Sequence, residues 1–216
     1  RGLGDVYKRQ QCAFTSLKGF LAGGNDQSID VLACFDNEEV GSNTKQGAMS
    51  TFLKDVLHRI NAGLGKTEDE YYQAIAKSFL VSCDNAHALH PNHAEKTDAV
   101  NFVTMNGGIV IKESANQKYT TDAFSRALFT GVCQNVNVPV QSFANRSDVV
   151  GGSTLGNLSN TQVSVHAVDF GLAQLAMHSC FETAGVKDTE YAIVALKEFY
   201  ETNVQIEEAE SVCLEK

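Results

Sequence analysis

The sequence predicts an α/β sandwich around a largely buried sheet. Short apolar runs alternate with helical periodicities along the whole chain, 43% of the 216 residues are hydrophobic, and prolines are limited to Pro91 and Pro139. A chain of that length and apolar content can fill a core of its own. Strands alternating with helices bury a sheet between helical layers.

Phe14, Leu17, Phe20 and Leu21 share one helical face and the run stops at Gly23-Gly24, which predicts a first helix over 13–22. Ile29 to Phe35 is β-branched, apolar and too short for a helix, so a buried strand is expected there, ending at the acidic segment Asp36 to Ser42. Met49, Phe52, Leu53, Val56, Leu57 and Ile60 recur at three and four, the spacing of a second helix. Thr67 and Glu70 form a capping box for a third helix, which leads to an apolar strand from Phe79 to Cys83. Further on come a strand at Gly108 to Lys112, a helix marked by Phe124, Leu128 and Val132, and strands at Val138 to Phe143 and Ser164 to Phe170. Ala192, Ala195, Leu196 and Phe199 set one face of a helix near the C-terminus.

Charge and composition exclude some functions. Seventeen Lys and Arg against 26 Asp and Glu leave a net charge of −9. Such a chain has no basic face with which to neutralise phosphates, so nucleic acid is a poor partner. Its apolar stretches fall far short of the roughly 20 residues that span a bilayer. Six widely spaced cysteines without a Cys-x-x-Cys pair read as reduced thiols of a cytoplasmic protein. Arg1 to Gln10 has no apolar signal core and no pattern leading into the first helix, so residues 1–10 read as a foreign or junction segment.

Chemistry-bearing residues gather directly after predicted strands, where α/β folds place their sites. Asp36-Asn-Glu38-Glu39-Val-Gly-Ser42 sets three carboxylates within four residues, with no Lys or Arg before Lys45. A solvated acidic turn and a metal site both satisfy that spacing. Asp84, His87, His90 and His93 follow the strand at 79–83, and Pro91 puts them on a loop or helix end rather than one ridge. His178 follows the strand at 164–170, where a lone imidazole serves a packed core as readily as a metal. Carboxylate, carboxylate and imidazole on three post-strand loops are nonetheless the donor types zinc takes in hydrolases.

These segments, together with Gly108 to Lys112, Tyr119, Arg146 to Gly156 (RSDVVGGSTLG) and Gln174 to Ser179 (QLAMHS), resemble the aspartyl aminopeptidase family of cocatalytic dizinc metallopeptidases in order and spacing, from about Cys12 onward. The resemblance implies a three-layer sandwich with a mixed, largely buried sheet, two zinc ions per active site, and peptide substrates with an acidic N-terminal residue. It implies Glu38 as general base, Glu39, Asp84 and His178 as metal ligands, and His87, Lys112 and Tyr119 as substrate contacts. It also implies a large homo-oligomer for the intact protein.

Family members carry a metal-bridging Asp a few residues before the position of Cys12 and a further His ligand upstream. Here Lys8 and Arg9 stand in that neighbourhood, and an inserted assembly domain of the family is absent. Residues 11–216 are therefore expected to be the C-terminal part of a catalytic domain that lacks some metal ligands. Two rivals share these residues. One is a related dizinc amidohydrolase or carboxypeptidase, against which Lys112 and Tyr119 speak, and the other is a catalytically silent metal-binding or assembly module.

Overall fold

A computed structural model describes residues 8–208 and 211–215. Its central sheet has the order β1 (Phe79–Cys83), β5 (His166–Gly171), β3 (Ile109–Glu113), β4 (Val140–Ala144). The outer pairs β1–β5 and β3–β4 are parallel and the central pair β3–β5 is antiparallel, so the sheet is mixed as expected.

Successive side chains of a strand point to opposite faces, and β3 divides the protein accordingly. Ile109 and Ile111 enter a core with Val168 and Phe170 of β5, Leu128, Phe129 and Val132 of α4 (Ala123–Asn135), and Ala192, Ala195 and Leu196 of α6 (Val186–Glu201). Phe129 and Phe170 are fully buried with ring centroids 5.1 Å apart, and each contributes roughly 1.5–3 kcal/mol by burial. The helix α1 (Lys8–Ala22) packs along α6 on this side. Gly19 makes that approach possible, since a Cβ there would stand 2.6 Å from Leu196 Cβ.

Val110 and Lys112 face the other way. Val110 joins Phe143, Val103 and Tyr119 with Ala86 of β2 (Ala86–His87) and Ala173 of β6 (Ala173–Leu175). These two short strands form a small second sheet with β7 (Thr183–Ala184). The five-residue helix α5 (Leu155–Ser159) also rests on this face, where the Gly156 N–H donates to Ser82 Oγ of β1.

Several elements sit where the periodicity puts them. The capping box of Thr67 and Glu70 opens α3 (Glu68–Ala76) with both reciprocal bonds made, and β1 has the expected bounds. The helix α2 (Phe52–Gly63) starts three residues later than Met49. The first helix starts earlier, at Lys8, because Lys-Arg-Gln-Gln are good helix formers that continue the turn.

The expected strand at Ile29 to Phe35 is not one. Among the described residues the sheet ends at β1, no ladder reaches 29–35, and Ile29 is 63% exposed. A β-branched run becomes a strand only where a neighbour takes its N–H and C=O groups. The hairpin of β8 (Asn203–Glu208) and β9 (Ser211–Glu215) was unannounced, and turns Val204, Val212 and Leu214 onto the helical core.

Candidate active site

The acidic segment after residue 35 is wound into a tight loop. Asp36 N–H donates to Gln46 O, Gly41 N–H to Glu38 O and Ser42 N–H to Asn37 O, with Asn37 and Ser42 in the left-handed region. This winding turns the adjacent Glu38 and Glu39 side chains inward together, leaving 9% and 7% exposed. Asp84 meets them from the end of β1, its side chain 8% exposed and its N–H bound to Phe170 O of β5.

Three buried carboxylates need a counter-charge, and Lys8 supplies it. Its Nζ lies 3.1 Å from Glu38 Oε1, 3.4 Å from Glu39 Oε1 and 3.2 Å from Asp84 Oδ2. Burial by itself favours the neutral amine. The Coulomb attraction of Asp84, Glu38 and Glu39 outweighs it and holds Lys8 above its ordinary pKa. The Glu38 carboxyl is pushed up to about 6 by burial, with Lys8 opposing and Asp84 and Glu39 adding to the rise.

Lys8 is placed by α1, and α1 is pinned by Asn85. The Asn85 amide donates to Gln11 Oε1 and Gln174 Oε1, and its oxygen accepts from the Cys12 thiol and Leu172 N–H. His178 arrives on the turn after β6 with φ 68°, its N–H donating to Glu182 Oε1 and its Nδ1 3.5 Å from Glu39 Oε2. His87, on β2, opens to solvent but is crowded by protein. Its desolvation, and then the neighbouring His178, Lys112 and Lys8, hold its pKa below the ordinary value against the pull of Asp84.

A second buried ammonium borders the first group. Lys112 is 2% exposed, donates to the Asp84 backbone carbonyl at 2.8 Å and stands 3.8 Å from Asp84 Oδ2. It also lies 5.1 Å from the centre of the Tyr119 ring, a cation–π contact. Gly171 lets this happen: a Cβ there would fall 1.9 Å from the Asp84 carbonyl oxygen. The Tyr119 hydroxyl in turn accepts from Asn145 Nδ2 at 3.1 Å.

The fold thus brings Glu38, Glu39, Asp84, His87, Lys112, Tyr119 and His178 to one face of the sheet. Catalytic zinc takes carboxylate oxygens and imidazole nitrogens, commonly three protein ligands, and Glu39, Asp84 and His178 are such a set. Glu38 Oε2 and Asp84 Oδ1 are buried without a hydrogen-bond partner, as oxygens awaiting a cation would be, and Glu39 Oε1 has only the Lys8 ammonium beside it. The donor chemistry fits zinc. Among the described residues, however, no three His, Cys, Asp or Glu side chains stand in position around a metal, and the Lys8 ammonium holds the middle of the carboxylates. A doubly charged ion can enter only as Lys8 leaves.

Sequence reasoning missed Lys8 as a site residue, and with it Asn85 and the buried Asp169. An aspartate inside the apolar run His166 to Phe170 was the available signal for Asp169, since a charge in a buried strand must have partners.

Comparison with known proteins gives the family. The family described as aminopeptidase I zinc metalloprotease (M18) matches residues 7–200. The protein of Clostridium novyi (strain NT) named "Probable M18 family aminopeptidase 2" is 45% identical over 190 residues, which are 88% of this chain and 44% of that one. Aspartyl aminopeptidase 1 of Schizosaccharomyces pombe is 43% identical over 184 residues, 85% of this chain and 39% of its own. In structure, the Ape4 and Nbr1 complex superposes with a TM-score of 0.83 at 40% identity, over 90% of this chain and 38% of that one. The S. cerevisiae mApe1 dodecamer does so at 0.74 and 26% identity, over 89% and 44%. The chain spans less than half the length of the relatives it matches. With a family match across most of its length, and with relatives above 40% identity, the chain belongs to the M18 family of aminopeptidases.

Proposed function

We propose that this site is part of a zinc aminopeptidase that removes N-terminal Asp or Glu from peptides, and that the chain from Lys8 onward, rather than from residue 11, forms the C-terminal part of its catalytic domain. One observation carries the proposal: three buried carboxylates and His178 converge beside a buried ammonium packed on a ring. Glu39, Asp84 and His178 would hold zinc, as part of a two-ion centre in the intact protein. Bound zinc supplies Lewis-acid polarisation of the scissile carbonyl and acidifies water.

The protein's own residues do the rest. Glu38 takes a proton from the attacking water and gives it to the leaving amine, a double role suited to a carboxyl raised to about 6 by burial. His87, kept neutral by its surroundings, can donate to the carbonyl oxygen of the substrate. Lys112 pairs with the acidic side chain of the first residue, and Tyr119 holds the ammonium in place. Aspartyl aminopeptidase 1 of S. pombe supports the acidic preference by its name. Homo-oligomerisation is supported by the dodecameric relative. A cytoplasmic location is supported by six free thiols, and no helix among the described residues is long and apolar enough to cross a membrane.

Glu38→Gln tests the proposal in a chain extended to the full length of its relatives. Turnover of Asp-peptides should fall by about 10²- to 10⁴-fold with zinc retained. Loss of zinc with the rate recovered on resupply would exchange the roles of Glu38 and Glu39. The 216 residues alone should show no turnover and hold at most about one zinc ion weakly, since Glu39, Asp84 and His178 would be divided between two ions that each need about three ligands. Steady hydrolysis by them would contradict the ligand assignment.

A further inference from the structure

β3 and β5 pair with Val110 opposite Gly171 and Ile111 opposite Phe170. One more step in that register sets Lys112 opposite Asp169, and opposed residues of an antiparallel pair share a face. The ladder stops before that step. Thr120 and Thr121 take its place along β5. Asp169 is fully buried, and its Oδ2 accepts from the Thr120 N–H at 2.6 Å and from the Thr120 hydroxyl at 2.8 Å. The Asp169 N–H donates to Thr121 Oγ1 at 2.9 Å, while Asp169 Oδ1 has no partner.

Lys112 is turned elsewhere, to the Asp84 carbonyl and the Tyr119 ring. Among the described residues its one ion pair is the 3.8 Å approach of Asp84. A buried acid and a buried base that the register makes neighbours are therefore kept apart, the acid by two short bonds to Thr120. Short bonds from two donors to one carboxylate oxygen are strong and directional.

We propose that Thr120 and Asp169 form a clamp that sets the charge available at Lys112. By bonding Asp169 Oδ2, Thr120 fixes the orientation of the carboxylate, so that its unpartnered Oδ1 faces Gly156 rather than the ammonium and Lys112 is left to pair with an anionic ligand. The clamp also fixes the backbone next to Tyr119, whose ring rests on Lys112. Thr120 and Asp169 are positioning residues that touch no substrate. That the ligand is an acidic N-terminal residue rests on the function proposed above, whereas the clamp does not.

Thr120→Val, Asp169→Asn and the double variant test this. Thr120→Val keeps the side chain's shape and the backbone donor but removes the hydroxyl, and Asp169→Asn keeps an acceptor but no charge. Binding of two peptides that differ only in an N-terminal Asp or Leu is measured by calorimetry on the 216-residue chain. Thr120→Val should lower the Asp-over-Leu ratio on the order of tenfold, the worth of a charged hydrogen bond. Asp169→Asn should keep or raise the ratio, and the double variant should behave like Asp169→Asn, with no carboxylate left to release. A crystal structure of the Thr120→Val variant should show Lys112 Nζ within about 4 Å of Asp169. An effect of Thr120→Val that persists in the Asp169→Asn background, or a Lys112 that stays on the Asp84 carbonyl, would overturn the clamp. If the unaltered chain does not prefer Asp, the acidic-substrate proposal fails, and the position of Lys112 in the variant structure alone decides the clamp.

Discussion

The carboxylate half of the site and its lysine–tyrosine half are each built around a buried ammonium, and they neutralise it in opposite ways. Lys8 is surrounded by three full negative charges at 3.1–3.4 Å, on side chains less than a tenth exposed. Lys112 is buried more deeply but is met by a carbonyl dipole, a ring face and one carboxylate at 3.8 Å. The first arrangement leaves surplus negative charge and so calls for a cation of higher charge. The second leaves positive charge unspent, which suits an anion. The proposed cation and anion sites thus share a wall, Asp84, whose side chain faces one and whose carbonyl faces the other.

The largest effect that could break this contrast is expected at Lys8. Lys8→Met removes the counter-charge of three buried carboxylates. Stripping one partner from a buried pair costs about 3–5 kcal/mol, so denaturant unfolding should show a loss of that order near neutral pH. Added zinc should recover part of it by mass action. A variant as stable as the parent would mean that the carboxylates are not held by Lys8.

Lys112→Met acts on the other half and should leave zinc binding nearly unchanged. It should cut the preference for Asp over Leu peptides by about 10- to 100-fold, the equivalent of roughly 1.5–3 kcal/mol for a charged hydrogen bond. Equal weakening of both peptides would remove Lys112 from the recognition of charge.

Acid should sharpen the difference between the halves. Glu38 has a folded pKa of about 6 against an ordinary 4.5, so the folded chain holds its proton more tightly than the unfolded chain. Its contribution to stability is complete below about pH 4.5 and is lost as the pH rises through 6. The melting temperature of the parent, compared with Glu38→Gln, should therefore lose ground between these two values, and parallel profiles would refute the raised pKa. The smallest effect is a control far from both ammonium groups. Thr67→Ala breaks the capping box of α3 and should cost about 1 kcal/mol, with zinc and peptide binding unaffected.

The helical core was legible in the sequence because its signals are local. Phe79 to Cys83 and the face Ala192, Ala195, Leu196 and Phe199 state their own period. The strand expected at Ile29 to Phe35 failed because a strand depends on a neighbour, which no local pattern encodes. The site was legible only as separate pieces. Resemblance to a family joined Glu38, Glu39, Asp84, His87, Lys112, Tyr119 and His178, and the β1–β5–β3 register explains the proximity of Asp84 and Lys112. Lys8 was set aside with residues 1–10 because nothing in its neighbourhood patterns the helix, yet α1 begins with it and carries it into the carboxylates. Asp169 escaped because its partners, Thr120 and Thr121, lie 49 and 48 residues away in a connection without periodicity.

The claim that the carboxylate half is a cation site now held by Lys8 is tested most directly by titrating zinc, by calorimetry, into the parent chain and the Lys8→Met variant at neutral pH. The structure predicts that the variant binds zinc more tightly, by at least about tenfold, since the ion no longer competes with an ammonium among the same oxygens. Equal affinities, or zinc bound more weakly by the variant, would contradict it.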